Sequence, residues 1–205
     1  MIMDNLRRLE EIFASFPGIG PRQAKRFVYH LLSKSPSFTR EFIQLIEEVK
    51  KATAECSQCH RFFSQKNSSI SVCHICSDPS RDASTLMVVA RDSDFETVEK
   101  SGAYRGKYFI LGGTVPILDK EPEKRIRLRS LLEHVSVLNG LKEVILSLNA
   151  TPDGEHTANI SRDALQNIPA GKGIKITVLG RGLSTGAELE YVDGETIKGA
   201  LENRH

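Results

Sequence analysis

The sequence predicts a multidomain protein of mixed α+β and α/β class, with an N-terminal helical domain, a four-cysteine module, a parallel α/β sheet and a C-terminal tail. Three observations support this. Apolar residues recur at helical spacing through residues 1–53. The only four cysteines form two Cys-x-x-Cys pairs. Beyond residue 79, continuous apolar runs alternate with helical stretches, as in a buried parallel sheet. We expect domains at 1–53, 54–78, 79–179 and 180–205.

Length and composition leave the functional class open. The chain has 205 residues, of which 40% are hydrophobic, so a folded protein with one large domain or two small ones is expected. No apolar run reaches 18 residues, which argues against a membrane span. A net charge of only +2 does not by itself indicate a nucleic-acid partner, so a basic surface has to be sought locally.

The N-terminal domain is predicted to contain three helices. The first covers residues 4–16 and ends at the Pro-Gly-Ile-Gly-Pro turn of residues 17–21. Pro21 suits the first position of the second helix, where its missing N–H is harmless. A third helix is expected to begin at Ser35-Pro36. The second helix is predicted to bury five apolar side chains: Ala24, Phe27, Val28, Leu31 and Leu32.

A helix, a Pro-Gly-Ile-Gly-Pro turn and a second helix form the pattern of a helix-hairpin-helix. Gly18 and Gly20 permit a tight turn and leave backbone N–H groups bare beside the positive end of the second helix. Arg22, Lys25 and Arg26 share one side of that helix. These five residues are predicted to bind the phosphate backbone of DNA without reading its bases.

A plain turn between two helices with a solvated basic face remains the alternative for this segment. Tyr29 also lies on the basic face, but a tyrosine there is more often a half-buried packing residue than a platform for stacked bases. It is therefore assigned no site.

The cysteine pairs are Cys56-x-x-Cys59 and Cys73-x-x-Cys76, with 13 residues between them. This spacing is typical of one tetrahedral Zn²⁺ held by two tight turns. Four sulfur ligands fill the coordination shell, so the metal is expected to be structural and not catalytic. His60 and His74, beside the ligands, are expected to lie outside the shell or in solvent.

Two other interpretations of these cysteines exist. Redox Cys-x-x-Cys motifs normally open a helix in a βαβ unit, and the sequence around these pairs lacks that pattern. Two disulfides would require an oxidising compartment, whereas the sequence shows no targeting segment. Reduced cysteines and the missing targeting segment together lead us to expect a cytoplasmic protein. As a predicted DNA-binding protein, it is expected to be nucleoid-associated.

The α/β part is predicted from periodicity. Its strands are expected at residues 85–90, 108–111, 144–148 and 174–179. The helices between them are expected at 93–101, ending at Gly102, and at 122–138 and 155–167. The tail is predicted to contain a loop, a short strand at 189–192 and a small helix.

These parts, in this order, resemble the bacterial recombination mediator RecR family over nearly the whole chain. The segments that carry the resemblance are Phe16–Pro21, the four cysteines, Cys76–Asp82, Gly102–Tyr108, Gly154–Ala158, Gly180–Leu183 and Gly186–Asp193.

The resemblance implies a helix-hairpin-helix that faces DNA, a four-cysteine zinc finger and a Toprim domain without enzymatic activity. It implies dimers and ring-like tetramers that encircle DNA, with subunit contacts from the first helix and the tail. The implied role is to act with RecO, and with RecF where present, at gaps and at junctions of single- and double-stranded DNA. There the family helps RecA replace single-strand-binding protein.

The chain departs from a working Toprim centre, which holds Mg²⁺ through a glutamate after the first strand and an acidic loop after the third. Ala90 stands at the glutamate position, and the loop contains Asn149, Thr151 and Asp153. One carboxylate is not expected to hold Mg²⁺ tightly. The loop from residue 112 to 122 also looks about one residue shorter than is usual in the family.

Three functions therefore compete. The leading one is a non-enzymatic DNA-binding mediator. The second is a Mg²⁺-dependent Toprim nuclease or primase-type enzyme, disfavoured by Ala90, Asn149 and Thr151. Asp92 and Asp94 are a substitute carboxylate pair for such an enzyme, although helix capping is the favoured role for them. The third is a zinc-stabilised adaptor that binds only proteins.

Overall fold

A computed structural model describes residues 2–65, 70–119, 121, 124–171, 173–180, 182–183, 186 and 188–202. The chain forms two compact units, Met1–Thr53 and Ala54–His205. The finer division at residues 78 and 179 stays a prediction. Among the described helices, none combines the length and the hydropathy that a bilayer span requires.

The first unit contains three helices, namely α1 (Ile2–Ala14), α2 (Pro21–Leu32) and α3 (Pro36–Ala52). The first two helices pack against each other. Ala24 and Val28 are buried, and the Phe13 ring meets the Phe27 ring edge-on at 5.7 Å between centroids. The predicted burial of Leu32 is wrong. It is the last residue of α2 and is 62% exposed, because the described part of this unit leaves that turn uncovered.

The third helix begins where the sequence predicts. The Ser35 hydroxyl accepts a hydrogen bond from the Phe38 N–H at 3.3 Å, and Pro36 occupies the first helical position. None of its described residues is buried.

The second unit contains a mixed set of elements, with β1 starting at the boundary between the units. Its strands are β1 (Thr53–Glu55), β2 (Phe62–Ser64), β3 (Asp82–Val89), β4 (Gly106–Ile110), β5 (Glu143–Ser147) and β6 (Lys175–Val178). Its α-helices are α4 (His74–Ser77), α5 (Asp92–Ser101), α6 (Leu128–Val137), α7 (Pro152–Asn167) and α8 (Gly194–Glu202).

Four of the strands form the predicted parallel sheet, in the order β4-β3-β5-β6, while β1 pairs with β2. Met87 lies opposite both Tyr108 and Ile145, so β3 lies between β4 and β5. Val144 also pairs with Ile176 of β6, which makes β5 the other central strand. The mixed α/β fold with a Toprim-like parallel sheet is confirmed. Because β3 alternates its side chains, Leu86 and Val88 contribute to one core and Met87 and Val89 to another.

The two cores cover opposite faces of the sheet. Helices α6 and α7 pack on the first face through residues that include Leu131 and Leu165. The second core contains Phe95 of α5 together with buried residues of the cysteine module, including Phe63 and Ile75. The cysteine module and the sheet therefore share one hydrophobic core.

The predicted helix at 122–138 is too long. The helix begins at Leu128, because Arg127 donates its backbone N–H to Leu111 at 2.8 Å and holds the preceding segment at the end of β4. Pro122 and Glu123 lie outside the described residues. Ile126 is nonetheless buried, so the apolar periodicity that predicted a helix there reflects burial of a loop residue.

The predicted strand at 189–192 is also wrong. Leu189–Tyr191 form a turn of 3₁₀-helix, in which the Tyr191 N–H donates to the Glu188 carbonyl at 3.0 Å. Asp193 then accepts a hydrogen bond from the Thr196 N–H at 2.9 Å. This local bonding favours a helix start over a strand.

Candidate functional site

The four cysteines come together in one buried cluster. Their sulfur atoms all lie within 4.8 Å of one another, and Cys56, Cys59 and Cys73 are fully buried, whereas Cys76 is half-buried. All four are free thiols, and Cys59 Sγ is 3.6 Å from Cys73 Sγ, well beyond the ~2.05 Å of a disulfide bond. Four sulfur ligands offered by two turns fit a tetrahedral metal such as zinc.

Close packing makes the thiols electrostatically unequal. A hydrogen bond with Cys59 lowers the pKa of Cys56, while the same contact raises the pKa of Cys59. A bound cation would stabilise the thiolate forms of the four ligands. His60 is not part of this ligand group, and its Nδ1 lies 2.7 Å from Glu55 Oε1.

The turn between α1 and α2 is open to its surroundings. Gly18 adopts φ +77°, a left-handed conformation that favours glycine, and the Ile19 N–H donates to the Phe16 carbonyl at 3.0 Å. A Cβ atom at either Gly18 or Gly20 would meet nothing within 4 Å. Gly20 has an ordinary φ of −81°, so only one of the two glycines is required by the turn itself.

The N-terminus of α2 carries no neutralising group. Its cap residue, Gly20, provides no side-chain hydrogen bond, and the first turn holds no acidic residue. Arg22, Lys25 and Arg26 are all exposed on the adjoining face. Arg26 Nη1 donates weakly to Gln23 Oε1 at 3.4 Å, whereas Arg22 has no partner in the described residues. Lys25 Nζ lies 6.0 Å from the centroid of the Tyr29 ring, and the Gln23 N–H donates to the Gly20 carbonyl at 3.0 Å. Exposed cations beside the N-terminus of a helix suit a phosphate ligand.

The polar side chains at the carboxyl edge of the sheet form hydrogen bonds with backbone groups. Ala90 is buried at the end of β3. Thr151 Oγ1 accepts from the Gly154 N–H at 3.2 Å and starts α7, which explains why this helix begins before the predicted Glu155. Asp153 Oδ1 accepts from the Ile117 N–H at 3.3 Å. The one carboxylate of this loop therefore holds a neighbouring loop.

Asp92 and Asp94, the substitute carboxylate pair considered for a Toprim enzyme, also bind backbone N–H groups. Asp94 Oδ2 accepts from the Arg91 N–H at 3.0 Å, so the predicted capping role is confirmed for this residue. Asp92 Oδ1 accepts from the Phe62 N–H at 2.9 Å and ties β2 to the start of α5. Within the ranges that the structure describes, the four cysteines are the only group of three or more Cys, His, Asp and Glu side chains placed to share an ion.

Sequence reasoning missed one residue at the cysteine cluster. The Lys107 ammonium donates to the carbonyls of Ile75, Cys76 and Asp78 at 3.0, 3.0 and 2.8 Å. Lys107 lies in the Gly102–Tyr108 segment that carries the family resemblance, but its spacing from the cysteines gives no indication of this contact.

Comparison with known proteins gives the same family along the whole chain. The Toprim domain profile matches residues 84–180, and the profile described as RecR, C-terminal matches residues 182–205. A protein named recombination protein RecR from Cereibacter sphaeroides is 36% identical over 98% of this chain and 96% of its own length. Those from Hyphomonas neptunium and Legionella pneumophila are 34% and 33% identical, over 97% and 100% of this chain and 94% and 98% of their own lengths. With such identity over nearly its full length, the chain belongs to the recombination protein RecR family.

Proposed function

We propose that this protein is a non-enzymatic, DNA-binding recombination mediator in DNA repair. It acts with RecO, and with RecF where present, to help load RecA at single-stranded gaps. The observation that carries the proposal is the open turn at Gly18 and Gly20 beside Arg22, Lys25 and Arg26. Relatives along the full chain are named recombination proteins, which supports the same role. The protein is proposed to work in the cytoplasm, associated with the nucleoid.

The proposed mode of DNA binding follows from the chemical groups at the turn between α1 and α2. Backbone N–H groups and flexible cationic side chains recognise phosphate oxygens, which are the same at every base pair. A mediator that must engage any gap needs this sequence independence. Gaps and junctions between single- and double-stranded DNA are the proposed ligand.

One structural Zn²⁺ per chain is the proposed cofactor, held by Cys56, Cys59, Cys73 and Cys76. The metal would crosslink the two cysteine turns. It would not take part in catalysis, because four protein ligands leave no coordination position open to a substrate. The support is the burial and proximity of the four thiols.

The proposal that the protein is not an enzyme rests on the residues at the carboxyl ends of the sheet strands. Ala90 and Thr151 offer no carboxylate, and the side chain of Asp153 is engaged with the Ile117 N–H. Mg²⁺ keeps most of its waters and needs charged oxygen ligands, so this edge is a poor site for it.

Reconstitution tests the proposed role. Purified protein together with the RecO-like protein of the same organism is expected to accelerate assembly of RecA on gapped DNA coated with single-strand-binding protein. Neither protein alone should do so. The DNA recovered after incubation with Mg²⁺ should be neither nicked nor extended from a primer. Mg²⁺-dependent nicking or primer synthesis that co-purifies with the protein would contradict the mediator and favour the Toprim enzyme.

Assembly into dimers or ring-like tetramers, through α1 and the tail, is the next prediction. Ile12 and Phe16 are half-exposed near the end of α1, and Leu189 and Tyr191 are 66% and 79% exposed in the tail. Apolar groups left this exposed favour burial against another chain. Light scattering at micromolar concentration should give the mass of a dimer or tetramer. Leu189→Ser should lower that mass.

The control for this prediction is Lys100→Ser, which changes an exposed polar residue of α5 and not an exposed apolar one. It should leave the mass unchanged. A monomer at every concentration of the unaltered protein would exclude a ring.

A further inference from the structure

The turn that carries Cys73 and Cys76 is held by a side chain from the sheet. This turn contains the short helix α4, whose last carbonyls have no partner within the helix. Lys107 fills that role, with one donor for each of three carbonyl oxygens, those of Ile75, Cys76 and Asp78, at 2.8–3.0 Å. A lysine ammonium has three N–H donors, so all of them are used.

The other cysteine turn is held by the same strand. The Ile110 N–H donates to the Cys59 carbonyl at 2.8 Å. Both contacts come from β4, which is an edge strand of the sheet and so has N–H groups free to bond outside the sheet. Beneath them, Ile75 packs in one buried cluster with Tyr108 and Ile110. A single strand thus sets the separation of the two turns that carry the metal ligands.

We propose that Lys107 is a positioning residue for the metal site, which fixes the Cys73–Cys76 turn against β4 and so preorganises two of the four ligands. This inference rests on the proposed zinc cofactor. Groups that orient metal ligands commonly change metal affinity by about 10- to 100-fold when they are removed.

Charge adds to the geometric effect. A Zn²⁺ ion with four thiolates carries a net charge of −2. The Lys107 ammonium lies 3.0 Å from the carbonyl of Cys76, itself a ligand residue, so its positive charge stabilises the loaded site. The same ammonium charge stabilises the metal-free site less, because protonated thiols carry no negative charge. The residue should therefore stabilise the zinc-loaded protein more than the metal-free protein.

The test is zinc release from the full-length protein to a coloured chelator, together with thermal unfolding of the zinc-loaded protein. Lys107→Met keeps the aliphatic stem and removes the three donors. It should weaken zinc affinity by about 10- to 100-fold and therefore release zinc to the chelator faster. Lys107→Arg, which keeps the charge and some donors, should fall between Lys107→Met and the unaltered protein. Lys175→Met is the matched control, because Lys175 is an exposed strand lysine whose nearest carboxylate, on Glu143, is 3.8 Å away.

Equal release from Lys107→Met and Lys175→Met would overturn the proposal. So would a loss of thermal stability in zinc-loaded Lys107→Met without faster zinc release, which indicates a general structural role. If Lys107→Met is recovered only as aggregate, the same comparison is made with Lys107→Gln, and equal release from it and Lys175→Met would likewise overturn the proposal. Zinc stoichiometry of the unaltered protein tests the cofactor separately, since a value of zero rejects the metal itself.

Discussion

Replacing Cys59 with serine is expected to abolish zinc binding and to give aggregated or insoluble protein. Structural zinc sites contribute on the order of 10 kcal/mol at neutral pH, which is comparable to the whole stability of a domain. The loss should also spread beyond the cysteine segment. Cys59 lies in the same buried cluster as Met87 and Val89 of β3, so loosening the module exposes one face of the sheet.

Elemental analysis and circular dichroism of the purified protein measure this result. Ser57→Ala is the control, because Ser57 is an exposed residue between the two ligands of the same turn. It should keep one zinc ion per chain and the unaltered melting curve. A Cys59→Ser protein that is folded, soluble and zinc-free would show that the metal is not needed for folding.

Replacing both Arg22 and Arg26 with alanine is expected to weaken DNA binding on every sequence tested. Both side chains are exposed on α2, so the fold should survive. Each phosphate contact that is lost should lower the slope of log affinity against log salt by roughly one unit. If the protein forms a ring, each substitution is repeated in every subunit, and the loss becomes steep.

Binding is measured by fluorescence anisotropy on two unrelated gapped duplexes across a range of salt concentrations. The control is Lys50→Ala with Lys51→Ala, which removes the same charge from the end of α3 in the same unit. This control should bind DNA with an affinity closer to that of the unaltered protein than the arginine variant does. If the arginine variant instead keeps full affinity at low and moderate salt, the basic face is merely solvated, and the protein-only adaptor becomes the better hypothesis.

Gly20→Val separates the turn from the charges. A Cβ at this position meets nothing within 4 Å and φ is −81°, so valine is compatible with the folded turn. The added methyl groups would nevertheless stand where a phosphate approaches the N–H groups of α2. Weaker DNA binding with an intact fold is expected, although every positive charge is retained. Gly18→Val should differ, since φ +77° makes a β-branched residue strained there.

Much of the fold is determined locally and is therefore predictable from the sequence. The third helix starts at Ser35-Pro36 because a hydroxyl cap and a proline act on their own neighbours. Helix α5 ends at Gly102 because that residue adopts φ +68°. The parallel strands are predicted because a strand buried on both faces must be apolar throughout. The errors at 124–127 and 189–192 arise where hydrogen bonds to other segments or to a following helix replace the expected element.

The cysteine cluster and the glycine turn follow from the sequence alone, because metal ligands and left-handed turns depend on residue type and short spacing. Tertiary structure decides what surrounds them. The contact of Lys107 with the carbonyls of Ile75, Cys76 and Asp78 joins residues 29 to 32 positions apart. The use of Asp92 and Asp153 to hold the backbones of Phe62 and Ile117 spans similar distances. Such contacts have no periodicity, since they depend on how elements pack and not on the order of residues within any one of them.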